Sequence, residues 1–173
     1  GDALSILAFQ VLAKSGSAEA VTVIAEALGS DGMLGGQVVD IQYEGKPCTL
    51  ETVDYIHVHK TSALIEASLE LGAVLAGAST ERRKLYRDYG RAIGLAFQIV
   101  DDILDIESST EALGKDVGSD VENQKATYPA VVGLEESKKQ ARILVDRAVE
   151  LAGRMGPRSS VLADLARFIV ERG

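Results

Sequence analysis

The run Phe97-Gln98-Ile99-Val100-Asp101-Asp102-Ile103-Leu104-Asp105 gathers three carboxylates and an amide into one short segment. On a helix, side chains three and four positions apart are neighbours, so Gln98, Asp101, Asp102 and Asp105 share one stripe. Ile93, Leu95, Phe97, Ile99, Val100, Ile103, Leu104 and Ile106 make the rest of the circumference largely apolar, the pattern of a buried helix. Carboxylates held there repel one another and lose hydration, at a cost of several kcal/mol per buried ion unless compensated. Hard divalent cations are the natural compensation. Mg²⁺ takes oxygen ligands, retains water and bridges readily to phosphate oxygens. An exposed acidic face near a helix end is the plain alternative. Three acids and a Gln in register within an apolar helix favour metal ligation by Asp101, Asp102 and Asp105.

Two lysines follow, in Gly114-Lys115-Asp116 and in Lys125-Ala126-Thr127-Tyr128-Pro129. Each alone reads as a solvated surface residue. Together with metal-holding acids, Lys115 and Lys125 suit a polyanion, most simply a diphosphate. Gly114 and Gly118 would let their loop fold closely over it. Upstream, Gln37 and Asp40 follow Gly35-Gly36, and Lys60-Thr61 opens another apolar helix. Taken singly, both pairs are weak signals. His57 and His59 lie two apart, poor spacing for joint metal ligation on a helix, and read as structural. A di-iron carboxylate bundle needs Glu-x-x-His pairs; neither histidine has a Glu three residues before it.

The elements that must position these groups all carry a helical period. Leu4, Leu7, Ala8, Val11 and Leu12 form an amphipathic repeat that Gly16 ends. Further helices are expected over 18–28, from Met33 to about Tyr43, and from a Thr49 N-cap through Ile56. The next are expected from Lys60 to Leu75, closed by Gly77, and from a Ser79 cap through Leu104. Whether the Gly29 region breaks or bends its helix is open at this level. Residues 107–126 read as a polar loop with one helical turn near Thr110–Leu113. Two last helices, about 128–153 with a possible break at Gly133 and 158–171, flank Gly156-Pro157. No strand alternation or repeat stands out, so the fold class is an all-α bundle in one domain over 1–173.

Bulk properties narrow the partners. A net charge of −8 disfavours nucleic acid and anionic lipid. Cys48 is the only cysteine, which excludes an internal disulfide and fits a reducing compartment. The most apolar stretch, Ala92 to Val100, is too short to span a bilayer. The chain opens Gly1-Asp2-Ala3-Leu4 directly in a helical pattern without Met, so an upstream piece is expected.

Taken in order, Gly35-Gly36-Gln37-Val38-Val39-Asp40, His59-Lys60-Thr61, Gly94-Leu95-Ala96-Phe97-Gln98 leading into Asp101-Asp102-Ile103-Leu104-Asp105, Gly114-Lys115 and Lys125-Ala126-Thr127-Tyr128-Pro129 resemble the trans-isoprenyl diphosphate synthases. The short-chain farnesyl and geranylgeranyl types are the nearest in pattern, and the resemblance covers essentially the whole chain. It implies an isoprenoid-synthase helical bundle, here without its amino-terminal helices. It implies that an allylic diphosphate, clamped by Mg²⁺, ionises and that isopentenyl diphosphate attacks the resulting cation, a proton then passing to the released diphosphate. By position, Asp101, Asp102 and Asp105 match the second Asp-rich motif, with Asp101 expected as the direct ligand. Lys60, Lys115 and Lys125 match the lysines that hold the allylic diphosphate. Thr61 and Gln98 match the residues whose oxygens face the carbocation, and Gln37 and Asp40 line the same cavity. The family's first Asp-rich motif lies upstream of a segment like Gly1–Leu4, so this chain alone is expected to be catalytically incomplete. A homodimer and a cytoplasmic location, or a plastid in a plant, complete the expectation. The alternatives are a non-catalytic subunit of a heteromeric synthase, disfavoured by an intact Asp motif, and a class I terpene cyclase, disfavoured by the Gly-Gly-Gln and Lys-Thr motifs.

Overall fold

In a computed structural model, residues 1–112 and 126–172 are described, the side chains of 108–112 excepted. Among the described residues every regular element is helical: α1 (Asp2–Lys14), α2 (Ala18–Leu28), α3 (Met33–Tyr43), α4 (Leu50–Ile56), a π-helical turn (His57–Ser62), α5 (Ala63–Leu75), α6 (Thr80–Ala112), α7 (Tyr128–Val132), α8 (Leu134–Met155), a 3₁₀ turn (Pro157–Ser159) and α9 (Ser160–Glu171).

The long α6 is the axis of the bundle, packed by α5 and the π turn on one side and by α8 and α9 on the other. Its inward residues Tyr89, Ala92, Ile93, Ala96, Ile99, Val100 and Ile103 meet Ala141, Val145, Ala148, Leu151 and Ala152 of α8 and Ala166 and Ile169 of α9. The α8 residues recur at three- and four-residue intervals, and their alanines bring the two backbones close. Tyr89 is fully buried and donates its hydroxyl hydrogen to the Leu162 carbonyl at 2.7 Å; burial pushes its phenol up to about 12. A smaller cluster of Leu12, Ala20, Ile24, Ala67 and Val74 seats α1 and α2 on α5.

The expected caps form. Thr49 accepts from the Thr52 amide, and Ser79 accepts from the Arg82 amide. The Gly29 region breaks the helix outright. Gly133, at φ +86, separates α7 from α8 in a conformation that side-chain-bearing residues rarely adopt. Three expectations need correction. The helix expected to begin at Lys60 instead continues α4: Ile56, His57, Ser62 and Ala63 all have right-handed helical backbone, joined through the π turn. The polar His57-Val58-His59-Lys60 stretch interrupts the apolar repeat without interrupting the backbone. Likewise α6 runs on to Ala112, because Glu107 to Ala112 carry no Gly or Pro to stop it. Finally, the apolar repeat of α1 buries only Leu12; Leu4, Leu7 and Val11 stay exposed.

Candidate functional site

The π turn is where the site begins. The Ala63 amide bonds to the Val58 carbonyl five residues back, which widens the helix locally, and such bulges recur at functional sites. Two glycines grip the widened turn. A Cβ on Gly36 of α3 would lie 2.2 Å from the Lys60 amide nitrogen, and one on Gly94 of α6 would lie 2.7 Å from Ser62 Cα. No other residue fits either place. Ser62 is fully buried and its hydroxyl donates to the Arg91 carbonyl at 3.2 Å. The backbone carrying Lys60 and Thr61 is therefore fixed from both sides.

A chain of polar contacts runs from this turn into the acid helix. Thr61 Oγ1 donates to Gln98 Oε1 at 2.7 Å, and Gln98 Nε2 donates to Asp102 Oδ1 at 3.3 Å. The Tyr128 amide donates to Asp102 Oδ2 at 2.8 Å, and His57 Nε2 lies 3.1 Å from the same oxygen. Beside this chain, Lys60 Nζ donates to Asp40 Oδ2 at 2.6 Å. Burial lifts the Asp54 carboxyl on α4, and the nearby His57 pulls it back down. Burial also pushes the Tyr128 phenol up, aided by the Asp54 and Glu136 carboxylates.

His57, Lys60, Asp40, Gln98 and Asp102 line one cleft enclosing about 460 Å³. Gln37, Asp40, Lys60, Gln98, Asp101, Asp102 and Asp105 all border it, joined by Ala126 and Thr127. Thr61 instead borders a neighbouring apolar cavity with Leu64, Ile65 and Leu69, and reaches the cleft only through its bond to Gln98. Lys115 and Lys125, with Gly114 and Gly118, lie outside the described residues.

The electrostatics of the three aspartates differ from expectation. Only Asp102 is buried, and the protein itself compensates it through Gln98, Tyr128 and His57. Asp101 and Asp105 are exposed toward the cleft. The three acids therefore do not by their burial demand a metal, because helix α6 turns two of them to solvent. Among the described residues, no three His, Cys, Asp or Glu converge into a ready metal-binding group. That geometry still fits Mg²⁺, which is commonly held by one or two carboxylates, several waters and substrate phosphates. Two solvated carboxylates four residues apart, opening on a cleft with a lysine, are such a partial set.

Two residues went unnoticed as contributors. Arg172 Nη2 donates to Asp101 Oδ1 at 3.2 Å and to the Phe97 carbonyl at 3.1 Å, with its guanidinium 4.0 Å above the Phe97 ring. Nothing local in sequence announces a contact across that separation. His57, read as structural, is almost fully buried at 2% exposure and touches Asp102. His59 matches its structural reading, stacked on Tyr55 at 3.9 Å between ring centroids.

The profile of the Polyprenyl synthetase family matches residues 1–154. The chain belongs to that family. It is 43% identical over 180 residues to the geranylgeranyl diphosphate synthase of Cyanophora paradoxa, covering 99% of this chain and 60% of that protein. It is 42% identical over 184 residues to the farnesyl diphosphate synthase of Escherichia coli, covering 99% of this chain and 62% of that protein. The crystal structure of an FPP/GFPP synthase from Zymomonas mobilis superposes with a TM-score of 0.82 at 34% identity, over 97% of this chain and 58% of that one. This polyprenyl synthetase chain thus spans about three fifths of the length of the relatives it matches, and its all-helical fold is theirs.

Proposed function

We propose that this chain carries the diphosphate-ionising half of a prenyltransferase that condenses an allylic diphosphate with isopentenyl diphosphate, in the farnesyl or geranylgeranyl size class. The single observation behind the reading is the convergence of Asp101, Asp105, Lys60 and Gln98 on one cleft from two helical rods, with Thr61 bonded to Gln98 from the adjoining cavity. When bound, Mg²⁺ would supply positive charge opposite the diphosphate oxygens, held at Asp101 and Asp105, while Asp102 completes the motif from within the protein. Lys60 has three N–H donors and gives one to Asp40, so two remain for phosphate oxygens. Lys115 and Lys125 belong to the same proposal by their place in the sequence.

The Thr61–Gln98 pair addresses the other end of the reaction. Asp102 fixes the Gln98 amide so that its oxygen stays beside Thr61. A second lone pair on that oxygen, and those on the Thr61 hydroxyl, remain to face an electron-deficient carbon. Oriented dipoles of this kind stabilise charge without having to reorganise as it develops. Gln37 and Asp40 border the cavity on the α3 side.

A homodimer is part of the reading, supported by the exposed Leu4, Leu7 and Val11 of α1 as surface for a helix-to-helix contact. Among the described residues no helix is long and apolar enough to cross a membrane. The lone Cys48 supports a reducing aqueous compartment, the cytoplasm or a plastid.

The test is a transfer assay on the native polypeptide with geranyl diphosphate and isopentenyl diphosphate, with Mg²⁺ or with chelator. Elongated prenyl diphosphate only with Mg²⁺ and only with both substrates is expected. Products formed without isopentenyl diphosphate would instead mark a cyclase, and their appearance would overturn the reading.

A further inference from the structure

His57 is a buried titratable group that the proposed chemistry does not use. Its ring is 2% exposed, its Nε2 faces Asp102 Oδ2 at 3.1 Å, and its Nδ1 is buried with no hydrogen-bond partner among the described residues. The carboxylate opposite requires a hydrogen on Nε2. A side chain serving only to fill space would be better apolar, since an orphaned buried nitrogen costs stability. The imidazole also stacks near-parallel on the Tyr128 ring, 6.0 Å between centroids. Tyr128 is the residue whose amide shares the same Asp102 oxygen. Three elements therefore meet at one carboxylate: the π turn through His57, α6 through Asp102, and the start of α7 through Tyr128. Immediately before Tyr128, Ala126 and Thr127 form a wall of the cleft.

We infer that His57 is a positioning residue of the diphosphate site: it holds Asp102 so that this carboxylate latches the first residues of α7 onto the acid helix and sets the wall beside Asp101. The inference rests on the diphosphate reading of the cleft. Asp102 is accordingly a tie among the protein's own elements, and Asp101 and Asp105 are the acids presented outward. The same tie orients Gln98, whose amide donates to the other oxygen of Asp102.

Two substitutions separate this role from simple packing. His57→Phe keeps the ring volume and the stack on Tyr128 but removes the donor. His57→Gln places an amide N–H near the Nε2 position and keeps the donor. Amide hydrogen exchange at Tyr128 reads the latch directly, and calorimetric titration of inorganic pyrophosphate with Mg²⁺ reads the site. His57→Phe is expected to speed Tyr128 exchange about tenfold and to weaken Mg²⁺-dependent pyrophosphate binding by about ten- to a hundredfold, the effect seen when a partner that orients a ligand-bearing side chain is lost. His57→Gln is expected to restore most of both. If His57→Phe does not fold, Asp102→Asn keeps the shape, weakens the acceptor and must show the same two changes. Unaltered Tyr128 exchange, with wild-type pyrophosphate binding intact, overturns the positioning role alone. Equal losses in His57→Phe and His57→Gln overturn it too, since packing would then explain both. A wild-type chain that binds no pyrophosphate with Mg²⁺ overturns the reading of the cleft, and this role with it.

Discussion

Two acidic cavities share the π turn as a wall, and they are built on opposite plans. The cleft of Asp40, Asp101 and Asp105 opens beside the π turn. The other, of about 510 Å³, is bordered by Glu26, Asp31, Glu66, Glu70, His59 and Arg87. In the second cavity, Glu70 is paired with Arg87 at 2.9 Å. Burial raises the Glu66 carboxyl there, Arg91 and Arg87 pull it back, and Glu70 and Asp88 add to the rise. Its cations and acids answer one another within a single layer of side chains. In the first cleft, Lys60 projects from a backbone clamped by glycines, and a relay from Thr61 to Asp102 fixes the direction of the Gln98 amide. Acidity alone therefore does not mark a site. What distinguishes the first cleft is exposed carboxylates beside a glycine-clamped backbone and beside oxygens whose orientation is already decided.

The sharpest break in that comparison is Asp101→Ala, which should lower Mg²⁺-dependent pyrophosphate affinity about a hundredfold or more, because it removes one of the two outward carboxylates. Glu70→Ala, on the other side, should leave that affinity unchanged; calorimetry reads both. Next comes the clamp. Gly94→Ala drives a Cβ to 2.6 Å from Ser62 Oγ and 2.7 Å from Ser62 Cα, and should cost about 2 kcal/mol in urea unfolding. Gly72→Ala meets nothing within 4 Å and should instead stabilise by about 0.5–1 kcal/mol. A smaller loss is expected from Lys60→Ala, about tenfold in pyrophosphate affinity, with little change in Tm because its pair with Asp40 is partly exposed.

The smallest effect belongs to the second cavity. A carboxyl whose folded-state value is raised destabilises the fold once it ionises, so stability falls as pH rises through the raised value. Glu66→Gln removes that charge and should raise Tm by about 1–2 °C at neutral pH. The gain should disappear as pH falls below the ordinary glutamate value of 4.5, where wild type is protonated in both states. A calorimetric melt at the two pH values checks the sign.

Much of this arrangement is legible in sequence, for local reasons. Periodicity finds α2, α3, α8 and α9, and Thr49, Ser79, Gly16 and Gly77 mark ends through side-chain caps or positive-φ backbone. Gln98, Asp101, Asp102 and Asp105 share a stripe because the helix repeat requires it. What a stripe cannot show is which of its members the tertiary fold covers. Asp102 is buried because Tyr128, 26 residues on, and His57, 45 residues back, close over it, whereas Asp101 and Asp105 remain open. The π turn is invisible for a related reason. Its signature lies in Gly36 and Gly94, on two other helices, and only their approach to Ser62 and Lys60 explains it. Arg172 reaches Asp101 from the far end of the chain, beyond any local pattern.

Mn²⁺ takes the same oxygen ligands as Mg²⁺ and broadens nearby nuclear resonances, so a titration of the native polypeptide with Mn²⁺ and inorganic pyrophosphate tests the central claim most directly. Pyrophosphate-dependent broadening centred on the amides of Asp101 and Asp105 and extending to Lys60, with Glu66 and Glu70 unaffected, is the predicted result. Broadening centred on Glu66 and Glu70, or none that depends on pyrophosphate, would contradict it.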